Sequence, residues 1–79
     1  MQAIFVQLKC ELGKAYDVAA ELIERDSVSE VFSISGQYDL MAKCYLDKSE
    51  DIGRYVETQI HSIPHIRDTH TIIAFNAFT

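Results

Sequence analysis

The chain has 79 residues, 48% of them hydrophobic, with two cysteines and no long polar tract, which fits one small globular domain and excludes a disordered or disulfide-framed one. Twelve acidic residues against seven scattered basic ones leave a net charge of −5, without the basic patch that direct nucleic-acid binding requires. No apolar stretch approaches the ~20 residues of a membrane span, and the opening Met1-Gln2-Ala3-Ile4-Phe5-Val6 lacks the cationic region and cleavage pattern of a signal peptide.

Residues 2–10 read as a first strand, with Ala3, Ile4, Phe5, Val6 and Leu8 apolar and Gly13 following a short polar break. Residues 14–25 carry helical spacing: Ala15, Ala19, Leu22 and Ile23 make one apolar stripe, and Lys14, Asp17, Glu21 and Glu24 take the other side. Arg25-Asp26-Ser27 ends that helix. Strands over 28–35 and 39–46 flank the turn Ser35-Gly36-Gln37-Tyr38-Asp39, where glycine supplies a permissive backbone and Asp39 an acceptor for turn amides. A second helix is expected from Ser49 as cap, with Glu50 and Asp51 complementing its dipole and Ile52, Tyr55, Val56, Gln59 and Ile60 as its stripe. Pro64 closes it, and 66–78 reads as a long final strand.

The order β-α-β-β-α-β predicts an α+β, ferredoxin-like sandwich, an antiparallel sheet with both helices on one face. Both alternating sets of the strands are apolar, Ala3 and Phe5 as well as Ile4, Val6 and Leu8, and Met41 and Tyr45 as well as Leu40, Ala42 and Cys44. Two helices cover only one face, so the other is expected to meet a second subunit, sheet against sheet, in a dimeric α+β barrel. A core this small also favours oligomerisation as its supplement.

With the Gly36-x-Tyr38-Asp39 turn between strands two and three, and Arg67-x-Thr69-x-Thr71 leading the last strand, the chain from Ala3 to Phe78 resembles the C-terminal effector (RAM) domain of the Lrp/AsnC transcription regulators. Full-length members carry an N-terminal helix-turn-helix domain, whereas here strand one starts within a few residues of Met1; the expectation is a stand-alone effector domain over 1–79. The family usually places Gly then Val after the helix-ending proline, where this chain has His65 and Ile66. The resemblance implies dimers that assemble into rings such as octamers, and an amino-acid effector held between dimers by Gly36, Tyr38, Asp39, Thr69 and Thr71. It also implies exchange with full-length Lrp/AsnC regulators. The chemistry agrees: Asp39 suits an ammonium, turn amides and threonine hydroxyls a carboxylate, and Tyr38 a side chain.

Each feature also has a plainer reading. Gly36, Tyr38 and Asp39 suffice to make a hairpin turn, and Thr69 and Thr71 are ordinary strand residues. His61, His65 and His70 lack the companions of a metal set, and no cofactor is implied. Cys10 and Cys44 lack a base and read as buried structural thiols; in the expected cytoplasmic location they stay reduced. The expectation is therefore a binding module and not an enzyme. The competing class is a small cofactor-free enzyme on the same dimeric barrel, a monooxygenase or isomerase, with His70 or Asp68 and Tyr45 as its polar groups in a pocket within the subunit.

Overall fold

The computed structural model describes residues 1–79 and contains strands β1 (Gln2–Cys10), β2 (Val28–Ser33), β3 (Leu40–Leu46) and β4 (Ile66–Ile73), with helix α1 (Ala15–Ile23) after β1 and helix α2 (Ile52–Tyr55) after β3. The sheet is antiparallel in the order β2-β3-β1-β4, the ferredoxin-like arrangement expected. Alternation settles the two faces. Ile4, Val6, Leu8 and Cys10 of β1 and Leu40, Ala42, Cys44 and Leu46 of β3 are buried, and they meet Val18 and Leu22 of α1 and Tyr55, Val56 and Ile60 of the second helical segment. Burying such a side chain contributes about 1.5–3 kcal/mol. The core contains no charged residue.

Several boundaries differ from the sequence reading. The buried stripe of α1 is Val18 and Leu22, with Ala15 and Ala19 packed at its margin, while Ile23 in the last turn is 66% exposed. Asp51, not Ser49, caps α2, its carboxylate accepting the Arg54 N–H at 3.1 Å; Ser49 instead bonds the Asp47 carboxylate. After one α-helical turn the chain widens into a π-turn over Val56–Ile60, where the His61 N–H reaches the Val56 carbonyl at 2.9 Å. That keeps Val56, Ile60 and Ile63 inward and leaves Gln59 exposed. The last strand ends at Ile73 instead of 78; beyond the Ala74 N–H, bonded to Ala3, its partner strand has ended, and Phe75 and Phe78 stand 91% and 94% exposed.

Two bulges set what each face presents. One lies in β4 opposite Lys9 and Cys10, so that Asp68, His70 and Ile72 share the open face while Ile66 turns to the core. The other follows Val28 in β2 and sets Glu30 against Lys43. On the open face Glu30, Lys43, Phe5 and Ile72 form one cross-strand row, and Phe32, Met41, Gln7 and His70 form the next.

Candidate ligand site

The β2–β3 connection is built before any ligand is considered. Gly36 sits at φ +107°, which L side chains rarely adopt, and a β-carbon there would meet open space, so the glycine serves backbone conformation alone. The Ile34 N–H donates to the Asp39 carbonyl at 3.0 Å, and the Asp39 N–H donates to the Leu8 carbonyl at 2.9 Å. The Asp39 carboxylate accepts the Cys10 N–H at 2.8 Å, with Lys9 Nζ at 4.0 Å. This pins the turn to β1. The Cys10 thiol beside it is pushed up in pKa, first by burial and then by the Asp39 charge, and burial does the same to Cys44. Both thiols are buried and free, and raised pKa values keep them protonated near neutrality.

With Asp39 held, the preceding Tyr38 reaches over the open sheet face and stacks on His70, ring centroids 6.2 Å apart and planes 18° from parallel. His70 Nδ1 lies 3.1 Å from Gln7 Oε1, its cross-strand neighbour on β1. With Nδ1 donating, Nε2 of the neutral ring remains an acceptor. Tyr38, His70 and Gln7, together with Ile34, Ser35 and Gln37, line an open cavity of about 390 Å³. It offers ring faces, an imidazole and side-chain amides, which suits a small molecule with an apolar part and polar ends.

The five residues singled out from sequence are not all brought together within one chain. Gly36 shapes this turn without lining the cavity, and Tyr38 lines it. Asp39 lines a neighbouring depression of about 230 Å³ with Lys9, Cys10, Gly13 and Arg67. Thr69 and Thr71 pair with the buried Leu8 and Val6 and so lie on the helix side of β4. There Thr69 Oγ1 lies 2.7 Å from His61 Nε2, beside an open cavity of about 220 Å³. Sequence reading passed over Gln7 and gave His70 no place at the turn. The available signal was that the strand face carrying Ala3 and Phe5 turns polar at Gln7 and Lys9.

The three histidines lie apart, His65 pairing with Glu11 at 3.2 Å, and no three His, Cys, Asp or Glu side chains gather as metal ligands. The groups of the enzyme reading are also dispersed: Asp68 and His70 lie on β4, and Tyr45 is at the far end of β3 opposite Ala3. No helix is long and apolar enough to cross a membrane.

The family model described as the Lrp/AsnC ligand binding domain matches residues 3–79. The HTH-type transcriptional regulator FL11 of Pyrococcus abyssi is 33% identical over 69 residues, a match covering 87% of this chain and 45% of that protein, so the chain spans about half the length of the curated relatives it matches. The crystal structure of TTHA0845 from Thermus thermophilus is similar at a TM-score of 0.92 and 29% identity, covering 100% of this chain and 99% of that one. The transcriptional regulator NMB0573 of Neisseria meningitidis, solved as a complex with L-Met, shares the fold at a TM-score of 0.86 and 15% identity, covering 99% of this chain and 52% of that one.

Proposed function

Because the chain belongs to the Lrp/AsnC ligand-binding domain family, we propose that it is an effector-sensing regulatory module whose ligand is an amino acid. The observation that carries this reading is the Tyr38–His70 cleft beside the Gly36 turn, whose roughly 390 Å³ falls within the ~300–1,000 Å³ typical of small-ligand sites. The L-Met complex of the Neisseria regulator supports the choice of ligand class. Asp39, Thr69 and Thr71 complete the site when a neighbouring copy supplies them next to the first copy's Tyr38. The open sheet face supports the assembly this requires: Phe5, Phe32, Tyr45, Ile72 and the Phe75 of the terminal segment present more apolar surface than one chain covers. Sheet-to-sheet dimers then join into a ring such as an octamer, in which full-length Lrp/AsnC regulators can take a place in the cytoplasm. Ligand occupancy acts by biasing that assembly, which requires unequal affinity for its states. The protein works by binding and assembly, with no catalytic step.

A thermal-shift screen of the common amino acids, with light scattering on each sample, tests this. A ligand at a hundred times its dissociation constant adds ~2.7 kcal/mol of apparent stability, so a true effector gives a clear rise in Tm and a change in mass. No shift with any amino acid, at constant mass, overturns the reading.

A further inference from the structure

We propose that the Lys43–Glu30 pair is a partner-selection gate on the open sheet face, one that accepts a second copy of this chain and rejects a sheet lacking the complementary charges. The inference rests on the reading that this face meets another subunit. Lys43 is the one cation in the cross-strand row Glu30, Lys43, Phe5, Ile72, on the inner strand β3 rather than at the rim. Its ammonium lies 5.1 Å from the Tyr45 ring centroid, 6.0 Å from that of Phe5 and 3.9 Å from a Glu30 carboxylate oxygen. In the isolated chain its side chain is 29% exposed and that of Glu30 is 50% exposed, so water still solvates both.

An apposed sheet removes that water. The ammonium is then tolerated only where carboxylates surround it, because a buried charge that loses its partner is strongly destabilising. A second copy brings its own carboxylate and ammonium, and the two pairs make a four-charge cluster. A relative with like-charged residues in this row brings an unpaired charge to the seam, and one with apolar residues strips water from the Lys43–Glu30 pair and returns no further polar contact to either group. The surrounding aromatic and aliphatic side chains supply affinity, and the pair supplies choice, as repulsion against wrong partners generally does. The choice of occupant, a second copy, follows from this charge complementarity: each copy carries both signs, with the positive one inside the face and the negative one on the edge strand.

The test uses full-length chains carrying Lys43→Glu or Glu30→Lys, examined singly and mixed by sedimentation and native mass spectrometry, with circular dichroism to verify folding. The Lys43→Glu chain carries two acids in the row and the Glu30→Lys chain two bases. Each alone is expected to dimerise roughly a hundredfold more weakly than the native chain, and their mixture to form a heterodimer. Because the mixture restores attraction only between chains, an intramolecular role for the pair leaves the mixture unassociated, and that result overturns the proposal. Single variants that dimerise like the native chain overturn it too, while leaving the sheet-face reading intact. A native chain that stays monomeric at all concentrations removes the sheet-face reading itself, and the gate with it. Should a charge-reversed chain fail to fold, Lys43→Gln serves: it leaves Glu30 unpaired at the seam, so weakened dimerisation supports the gate and unchanged dimerisation refutes it.

Discussion

The Asp39 carboxylate accepts the backbone N–H of Cys10 at 2.8 Å, across the end of β1, and so fastens the β2–β3 turn to the strand that sequence places 29 residues earlier. This bond is structural before any ligand arrives. It also sets where Tyr38 is delivered, because Tyr38 adjoins the anchored residue and spans from there to His70.

The first prediction separates the two duties of Asp39. Asp39→Ala removes the acceptor and should cost about 1–2 kcal/mol in chemical denaturation, the range for a hydrogen bond to a charged group with partial solvent access. Asp39→Asn retains an oxygen acceptor for Cys10 and should lose less than half of that. If the carboxylate also holds an effector's ammonium, Asp39→Asn abolishes the ligand-induced Tm shift while keeping the fold. A shift that survives in Asp39→Asn leaves Asp39 with its anchoring role alone.

Gly36 gives the second. Its φ of +107° lies where an L side chain is strained, although nothing stands within 4 Å of a β-carbon built there. Gly36→Ala should therefore destabilise by about 1–2 kcal/mol through backbone strain and not through a clash. Because the cost is conformational, Gly36→Ser should match it; a Gly36→Ala chain as stable as the native one would show that the turn relaxes freely.

The strands were legible because period-two alternation is a local signal: Ile4, Val6, Leu8 and Cys10 are buried as their spacing requires. The helix stripe was only partly so. Ala15, Ala19, Leu22 and Ile23 fit a helical face as well as the observed Ala15, Val18, Ala19 and Leu22, and what decides between them is the sheet below, which no local pattern encodes. The turn residues Gly36, Tyr38 and Asp39 could be read from their types, but the meeting of Tyr38 with His70 depends on β1–β4 register and on a bulge between Asp68 and Ile66. The same register sends Thr69 and Thr71 to the helix side. A motif in one dimension did not separate the two faces of that strand from the turn beside it.

His65 supplies the third prediction. It adopts φ +73°, the left-handed region, at the position where the family resemblance expects glycine. Its carbonyl accepts the Glu11 N–H at 2.9 Å and its ring Nδ1 lies 3.2 Å from the Glu11 carboxylate. The exposed side-chain contact with Glu11 is worth little, a few tenths of a kcal/mol, whereas the left-handed backbone costs a non-glycine residue about 1–2 kcal/mol. His65→Gly should therefore raise stability by up to about 1 kcal/mol, and His65→Val should lower it by more than that. A destabilised His65→Gly in equilibrium denaturation would mean that the Glu11 contact outweighs the strain.

Tyr55 gives the last. Its hydroxyl is buried with Cys44 and Ser27 as polar neighbours, neither of them in full hydrogen-bond geometry, and its pKa is pushed from the ordinary 10 up to about 12, first by burial and then by Cys44. The sign follows from linkage: the unfolded chain ionises near pH 10, while the folded chain keeps the proton to about 12. Above pH 10 the unfolded state therefore binds fewer protons, so stability is whole below that point and falls as pH rises through the window. The loss attributable to this side chain reaches about 2 kcal/mol by pH 12. Tyr55→Phe should remove that share of the alkaline decline and, at pH 7, should leave stability unchanged or raise it by up to about 1 kcal/mol, because an unsatisfied hydroxyl is replaced by hydrogen. Urea denaturation of the native and Tyr55→Phe chains at several pH values from 7 to 12 reads both effects. Parallel alkaline declines in the two chains would show that the phenol ionises alike folded and unfolded, and a clear loss at pH 7 would show that the hydroxyl is hydrogen-bonded in solution.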